Sequence, residues 1–396
     1  MQGGMRAVCL FRICSRPGRR LTTQSSAQTD ILLSYAVPSP TVSPKYEENL
    51  KANDAEELDE HVSVNASEQG GVTVVRVPKK KYALLMSYSG KGYYGMQINP
   101  GMHTIESVLI SALVNAQCVP KPCATTDRAW LKLQRCARTD KGVSALGQLV
   151  SLCLWKSPDD LVEKINSHLP SDIRILGMKQ VTRGFNSKTM CEGRKYSYTL
   201  PTFALSGGTE PDSSFRLSRE DFHRFHNLLT FYQGTHCYHN FTLGKTADDP
   251  SAFRHIFRVT LREPYVDKGH EFVTIEMTGQ SFLLNQIRKM VGLALSVTQG
   301  LVPESTLPSS VRPEISLKIP PAPGLGLVLE QTYFNWYNLR FGEDGLHSPL
   351  IWEDAEPAAE TFRKNHILPL IAHGEIDDLS MARWLRTLSK HGLGAF

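Results

Sequence analysis

The stretch 134–145 combines residue types that could do chemistry. It holds one carboxylate among three cations: Asp140, with Arg135, Arg138 and Lys141. Nearby opposite charges favour the ionised form of a carboxyl group, and an ionised Asp can act as a nucleophile or a base. The cations form a site for polyanions. Asp-Lys-Gly is also favourable turn chemistry, so these residues alone favour a surface turn before the apolar strand at 149–154.

A glycine-rich loop at 89–95 follows the apolar strand predicted for 82–89. It contains Lys91 and Tyr93, and it lacks the spacing of a phosphate-binding P-loop. Its glycines allow backbone amides to approach a phosphate, and its tyrosines could stack on bases. An ordinary turn explains the loop equally well.

The predicted strand 194–200 carries a cation and two aromatic rings. Arg194, Tyr196 and Tyr198 project from the same face because strand residues alternate between faces. Such a face could hold a phosphate and stack a base. The alternative is a half-exposed strand in which Tyr is simply a good strand former.

A further cation lies on a mainly apolar helix predicted from about residue 281. Four residues share one face of this helix by their spacing: Ser281, Asn285, Arg288 and Gly292. A buried cation needs a partner, and Asp140 is the obvious carboxylate for Arg288. The alternative is that Arg288 extends its guanidinium to solvent.

Composition limits the class of protein. The 396 residues are too many for one small core and fit two packed subdomains with extensions. The net charge of +5 permits a nucleic-acid partner without requiring one. No apolar run approaches the ~18 residues that span a membrane, so we expect no membrane partner. The eight scattered cysteines indicate a reducing compartment.

We expect no metal and no cofactor. The loop 234–242 contains two histidines and one cysteine, but no second ligand cluster has the spacing of a zinc site. The glycines of 322–329 lack the third glycine and the helix start of a dinucleotide-binding motif. A zinc deaminase is excluded because the sequence contains no Pro-Cys-x-x-Cys element.

The first 72 residues are predicted to lie outside the folded domain. Residues 1–29 are rich in Arg and Ser and contain no acid, which is typical of a mitochondrial transit peptide; a disordered RNA-binding arm is the alternative. Residues 30–72 have few large apolar side chains and read as a flexible linker. The lysines at 79–81 could direct a nuclear pool, although a solvated strand edge is the simpler interpretation.

The motif at 138–145 resembles the active-site motif of the TruA family of tRNA pseudouridine synthases. The wider stretch from Ser87 to Ser151 resembles the eukaryotic nuclear and mitochondrial branch of that family, and the similarity extends over about 80 to 390. This resemblance implies a tRNA pseudouridine synthase with no cofactor. The alternative is a non-catalytic RNA chaperone on the same fold.

The resemblance also implies roles for individual residues. Asp140 is the catalytic carboxylate, Arg288 pairs with it, and Tyr196 stacks on the target uracil. Arg138 fills the gap left by the extruded base, and Leu327 on the last strand lines the base pocket. The other implied RNA contacts are Arg135, Lys141, Arg194, Lys91 and Tyr93. Two departures affect hydrogen bonding: bacterial relatives have Phe-His-Ala-Arg at 185–188, and many relatives have His at position 285.

The implied fold is α+β. Two RRM-like (ferredoxin-like) halves, 73–200 and 201–345, form one continuous and mainly antiparallel sheet, with helices behind it and a basic central cleft. Residues 346–396 form a C-terminal helical extension. We expect a monomer in the mitochondrial matrix, with an additional nuclear pool, acting on tRNA and on mRNA or snRNA.

Overall fold

The computed structural model describes residues 62–66, 72–76, 79–125, 128–155 and 160–388. Most of its strands coincide with the apolar or alternating runs of the sequence, because such runs bury one or both faces of a strand. In chain order the strands are β1 (Val62–Ala66), β2 (Val72–Arg76), β3 (Lys80–Tyr88), β4 (Gln134–Arg135), β5 (Ser144–Leu154), β6 (Ile173–Gln180), β7 (Gly193–Pro201), β8 (Gly234–Cys237), β9 (Phe253–Leu261), β10 (Tyr265–Asp267), β11 (His270–Gly279) and β12 (Leu327–Tyr333).

Two of the described α-helices begin at side-chain caps: the Thr104 and Ser218 side chains each accept a hydrogen bond from a backbone amide of the first turn. Among the described helices none has the length and apolar character needed to cross a membrane. The α-helices are α1 (Ile105–Asn115), α2 (Leu161–Asn166), α3 (Arg219–Thr230), α4 (Gln286–Thr298), α5 (Thr306–Ser309), α6 (Asn335–Phe341), α7 (Glu356–Phe362), α8 (Leu368–Ile376) and α9 (Ser380–Leu388).

One sheet of ten strands runs through the chain in the order β6-β3-β5-β12-β7-β11-β9-β8, with β4 on β5 and β10 on β11. Neighbouring strands are antiparallel except at the centre, where β12 pairs in parallel with β5. There β12, from late in the chain, lies between β5 and β7, which both come much earlier. The predicted α+β class and the large, mainly antiparallel sheet are confirmed.

Helices cover both faces of this sheet, whereas the resemblance implied helices on one side only. On one face, α1, α3 and α4 pack in the main core. On the opposite face, Val328 of β12 and Leu146 of β5 pack against Phe362, Ile367 and Ile371 from the C-terminal segment. The sheet is two-sided because this segment supplies apolar side chains that would otherwise remain in water.

The helix that carries Arg288 begins later than its periodicity predicts. Asn285 adopts a left-handed conformation with φ of 62°, and α4 starts at Gln286. Ser281 and Asn285 therefore precede the helix, and the predicted four-residue helical face is wrong. The break occurs because a left-handed residue cannot continue a right-handed helix.

The N-terminal predictions fall partly on described residues. The predicted linker 30–72 contains β1, which pairs antiparallel with β2 in a separate two-stranded sheet; the alternating valines of both segments favour strands. The predicted transit peptide and the rest of the linker lie outside the described residues. Lys81 is buried rather than solvated, because its ammonium donates to the Lys132 carbonyl and the Gln134 side chain.

Candidate active site

Buried polar side chains hydrogen-bond to the loop that carries Asp140 and fix its position. The hydroxyls of Thr139 and Tyr88 are 2.7 Å apart. Gln148 donates to the Tyr88 hydroxyl and to the Ala137 carbonyl, and its own oxygen accepts from the Ala137 amide. Because every polar group in this network has a partner, burial does not destabilise it, and the loop is fixed before any ligand binds.

The glycine-rich loop packs directly on the Asp140 loop. The Gly90 amide donates to the Ser144 hydroxyl at 3.0 Å, and the Met96 amide donates to the Thr139 carbonyl at 3.1 Å. A Cβ atom at Gly90 would lie 2.5 Å from the carbonyl carbon of Gly142. Only glycine permits this approach, so the two loops form one rigid wall of the site.

Arg288 reaches Asp140 from the first turn of α4. Its guanidinium Nη1 lies 3.8 Å from Asp140 Oδ2, and both side chains are about one-fifth exposed (18% and 20%). The guanidinium is aimed by two further acceptors, the Ala322 carbonyl at 2.7 Å and the Asn285 side chain at 3.1 Å. The unusual Asn285 thus orients the arginine that faces the carboxylate.

Two effects act on the pKa of Asp140. Burial raises it above the ordinary value, and the positive charge of Arg288 lowers it. Burial is the larger effect, so cations do not simply hold this carboxyl ionised as the sequence predicted. The carboxylate is instead partly desolvated, and Arg288 opposes the effect of burial on its pKa.

Apolar side chains surround Tyr196, which lies near the Asp140–Arg288 pair. Tyr196 is buried, and its register partners on the two neighbouring strands are Met277 and Leu329. The Phe282 ring meets the Tyr196 ring edge to face at 5.3 Å. Leu327 pairs with Tyr198, two residues further along the same strand face. These side chains form an apolar cluster around the Tyr196 ring.

Burial also determines the protonation of the Tyr196 hydroxyl. It raises the pKa of Tyr196 well above its ordinary value, and the nearby Asp140 contributes in the same direction. The phenol therefore stays protonated at neutral pH. It can donate a hydrogen bond or a proton but cannot serve as a base.

Two predicted phosphate contacts are instead engaged within the protein. Arg194 donates to the carbonyls of Cys136, Cys191, Lys188 and Gln280. Arg135 pairs with Glu106 at 2.8 Å, and both side chains are largely buried. Arg194 has few donors left for a phosphate and fixes the backbone around the site, whereas Arg135 is turned toward a carboxylate inside the protein.

The remaining predicted contacts differ in exposure. Arg138, Lys141 and Lys91 are exposed. Tyr93 is only 5% exposed; its hydroxyl donates to Asp172 and its ring stacks on His103. One face of this ring is covered by His103 and its hydroxyl is bound to Asp172, which argues against the predicted stacking of a base on it.

In the stretch 185–188, where the resemblance implies Phe-His-Ala-Arg, Phe185 is buried and Lys188 is exposed. Phe185 contacts Phe334 and Tyr337 on the opposite face of the sheet, and the Asn186 side chain accepts from the Lys188 amide. Sequence reasoning missed Phe282 and Gln148 as parts of the site. A polar glutamine inside an apolar strand was the available signal for the second.

The loop 234–242 does not gather a set of metal ligands. Cys237 Sγ lies 3.3 Å from Nδ1 of His239, while Nε2 of the same ring faces the Ile315 carbonyl. Among the described residues, no group of three or more His, Cys, Asp or Glu side chains is arranged to hold a metal ion.

Comparison with known proteins agrees with this geometry. The sequence profile described as tRNA pseudouridine synthase matches residues 229–335, which include Arg288 and Leu327. The chain is 52% identical to the mouse Pseudouridylate synthase 1 homolog over 321 residues, 80% of this chain and 75% of the relative. The human protein of that name is 52% identical over 317 residues, which cover 79% of this chain and 74% of the relative. The Kluyveromyces lactis tRNA pseudouridine synthase 1 is 33% identical over 383 aligned positions, which cover 77% of this chain and 69% of the relative. The chain therefore belongs to the TruA family of tRNA pseudouridine synthases, in the branch of these eukaryotic relatives.

Proposed function

We propose that this chain isomerises specific uridines in tRNA to pseudouridine and that Asp140 is the carboxylate on which the reaction depends. The observation that carries the proposal is the approach of Arg288 to Asp140 beside the buried ring of Tyr196. A structural ion pair would not need an adjoining cluster of aromatic and apolar side chains, whereas a site that retains a detached base does.

The reaction breaks the bond between N1 of uracil and C1′ of ribose, turns the base, and joins C5 to C1′. One proton leaves C5 and one is gained at N1, so the product is an isomer and the balance needs no cofactor. A carboxylate at the sugar–base junction can attack C1′, attack the ring, or remove a ribose proton. Asp140 is suited to each route because it is accessible and partly desolvated.

The side chains around Asp140 have complementary roles. Arg288 orients Asp140 and favours its ionised form. Tyr196 stacks on the flipped uracil and, being protonated, assists proton movement. Arg138 fills the gap left by the extruded base, which offsets an unstacking cost of a few kcal/mol. Lys91 and Lys141 bind phosphates, and Leu327 lines the base pocket.

The finer architecture and the biological setting are also proposals. The two RRM-like halves, 73–200 and 201–345, enclose a basic cleft that binds the RNA, and 346–396 is an accessory extension. The enzyme acts as a monomer, chiefly in the mitochondrial matrix, with a nuclear pool and with mRNA or snRNA as further substrates. The Arg-rich composition of 1–29 supports the mitochondrial assignment.

Pseudouridine mapping tests the function. Unmodified tRNA transcripts are incubated with the full chain or with its Asp140→Ala variant, and the uridines are mapped. We expect conversion at defined positions with the first protein and none with the second. Tight tRNA binding without conversion by either would support the non-catalytic chaperone instead.

A further inference from the structure

Two adjacent tyrosines in the glycine-rich loop have opposite environments. Tyr93 is 5% exposed, whereas Tyr94 is 47% exposed. The backbone of Tyr94 is fixed, since its amide donates to the His103 carbonyl at 2.8 Å. An aromatic ring on an anchored backbone that remains in water is a ready surface for another planar group.

This exposed ring borders the candidate active site. The Lys141 ammonium lies 4.1 Å from the centre of the Tyr94 ring, and Lys141 directly follows Asp140. Behind the ring, a Cβ atom at Gly95 would lie 2.7 Å from the Thr139 carbonyl. The ring and the ammonium are therefore held against the wall that carries the carboxylate.

The pair combines what a nucleotide requires. The ammonium lies over one face of the ring, and among the described residues no other ring contacts Tyr94. The free face can accept a base, and Lys141, itself exposed, can contact a phosphate. Tyr196 is a buried ring of the sheet, so Tyr94 provides a second and separate stacking surface.

We propose that Tyr94 and Lys141 form a subsite for a nucleotide that flanks the target uridine. The base of that nucleotide stacks on Tyr94, and its phosphate pairs with Lys141. This inference rests on the proposed function and adds to it the binding of a neighbouring residue of the RNA.

Single-turnover rates at increasing enzyme concentration test the subsite. Stacking on an aromatic side chain contributes ~1–3 kcal/mol, so Tyr94→Ala should raise the enzyme concentration for half-maximal rate about tenfold and leave the maximal rate unchanged. Tyr94→Phe keeps the ring and should behave as wild type. Tyr265→Ala removes an exposed tyrosine from β10 and is the matched control.

Abasic RNAs identify the stacked base. When the flanking nucleotide that occupies the subsite lacks its base, Tyr94→Ala should cause no further loss. The Lys141→Gln variant should reduce the salt slope of tRNA binding by about one phosphate contact. Equal behaviour of Tyr94→Ala and Tyr94→Phe on intact RNA, or a persistent tenfold loss with both abasic neighbours, would overturn the subsite. Absence of pseudouridine with the wild-type chain would instead reject the function.

Discussion

The carboxylate of Asp140 is governed by the opposition of burial and charge. Burial raises its pKa and Arg288 lowers it. The cation is 3.8 Å away, a charge contact rather than a tight hydrogen bond. This spacing leaves the oxygens of Asp140 accessible to a substrate while Arg288 still favours their ionised form.

Replacing Arg288 should shift the pH dependence of the reaction. In Arg288→Gln, burial acts on Asp140 without opposition, so its pKa rises and activity is lost at a higher pH as the solution is acidified. The measurement is the single-turnover rate against pH, with Arg219→Gln, an exposed ion-pair residue, as control. An acid limb at the wild-type position would contradict the proposed role of Arg288.

At this scale the sequence predicted the pairing but not the orientation of neighbouring side chains. Asp140 and Arg288 came from recognisable motifs. Which of Tyr93 and Tyr94 faces the core could not be predicted, because a loop has no regular period. The partners of Arg194 were hidden because backbone carbonyls leave no mark in a sequence, and the Glu106 partner of Arg135 is distant from it along the chain.

Among the elements, the contact between the two loops controls the position of the carboxylate. A Cβ atom at Gly90 would meet the backbone of Gly142 and Val143. Gly90→Ala should therefore displace Asp140 and lower the maximal rate about 100-fold, as misplacement by ~1 Å can do. Gly208→Ala is the control, since the nearest atom there is 3.4 Å away. A rate near wild type in Gly90→Ala would reject this account of the loop.

The junction between α8 and α9 contains a buried carboxyl group. Glu375 is 3% exposed and accepts from the Met381 amide at 2.8 Å. Burial raises its pKa to about 7 from the ordinary 4.5. The folded state thus binds the proton more tightly than the unfolded state, and stability declines as pH rises from 4.5 to about 7.

Glu375→Gln should remove this pH dependence. At pH 8 the variant should be more stable than wild type by up to about 3 kcal/mol, and the difference should largely disappear near pH 4. Urea unfolding at both pH values measures it, with the exposed Glu304→Gln as control. Equal stability of Glu375→Gln and wild type at pH 8 would show that burial does not raise the pKa of Glu375 in the folded protein.

The positions of most elements followed from periodicity and caps, while their limits did not. The strand predicted at 149–154 extends back to Ser144, and α4 starts five residues after the predicted face begins. Both errors arise where tertiary contacts override local pattern: pairing with β12 lengthens the strand, and Asn285 ends the loop in a left-handed turn.

On the scale of the whole molecule, the two-sided sheet was the least predictable feature. Every residue of β5 is buried, and a strand covered on both faces reads as a continuous apolar run. The run Leu149–Leu154 contained that signal. The segment that covers the second face could not be identified from its sequence, because an apolar helical stripe does not specify its partner.

Localisation can be tested with the N-terminal segment. Residues 1–29 fused to a fluorescent protein should direct it to mitochondria, because the segment is cationic, acid-free and partly apolar. The control replaces five residues with Gln: Arg6, Arg12, Arg16, Arg19 and Arg20. Diffuse fluorescence from both fusions would contradict the transit peptide.

The central claim is that Asp140 carries the chemistry. The most direct measurement is tritium release from C5 of labelled uridines in tRNA, under single-turnover conditions, with the wild-type chain and Asp140→Asn. The variant keeps the size of the side chain and removes its charge. We predict no release above background from the variant while its tRNA affinity stays close to wild type. Release at a substantial fraction of the wild-type rate would contradict the assignment of Asp140.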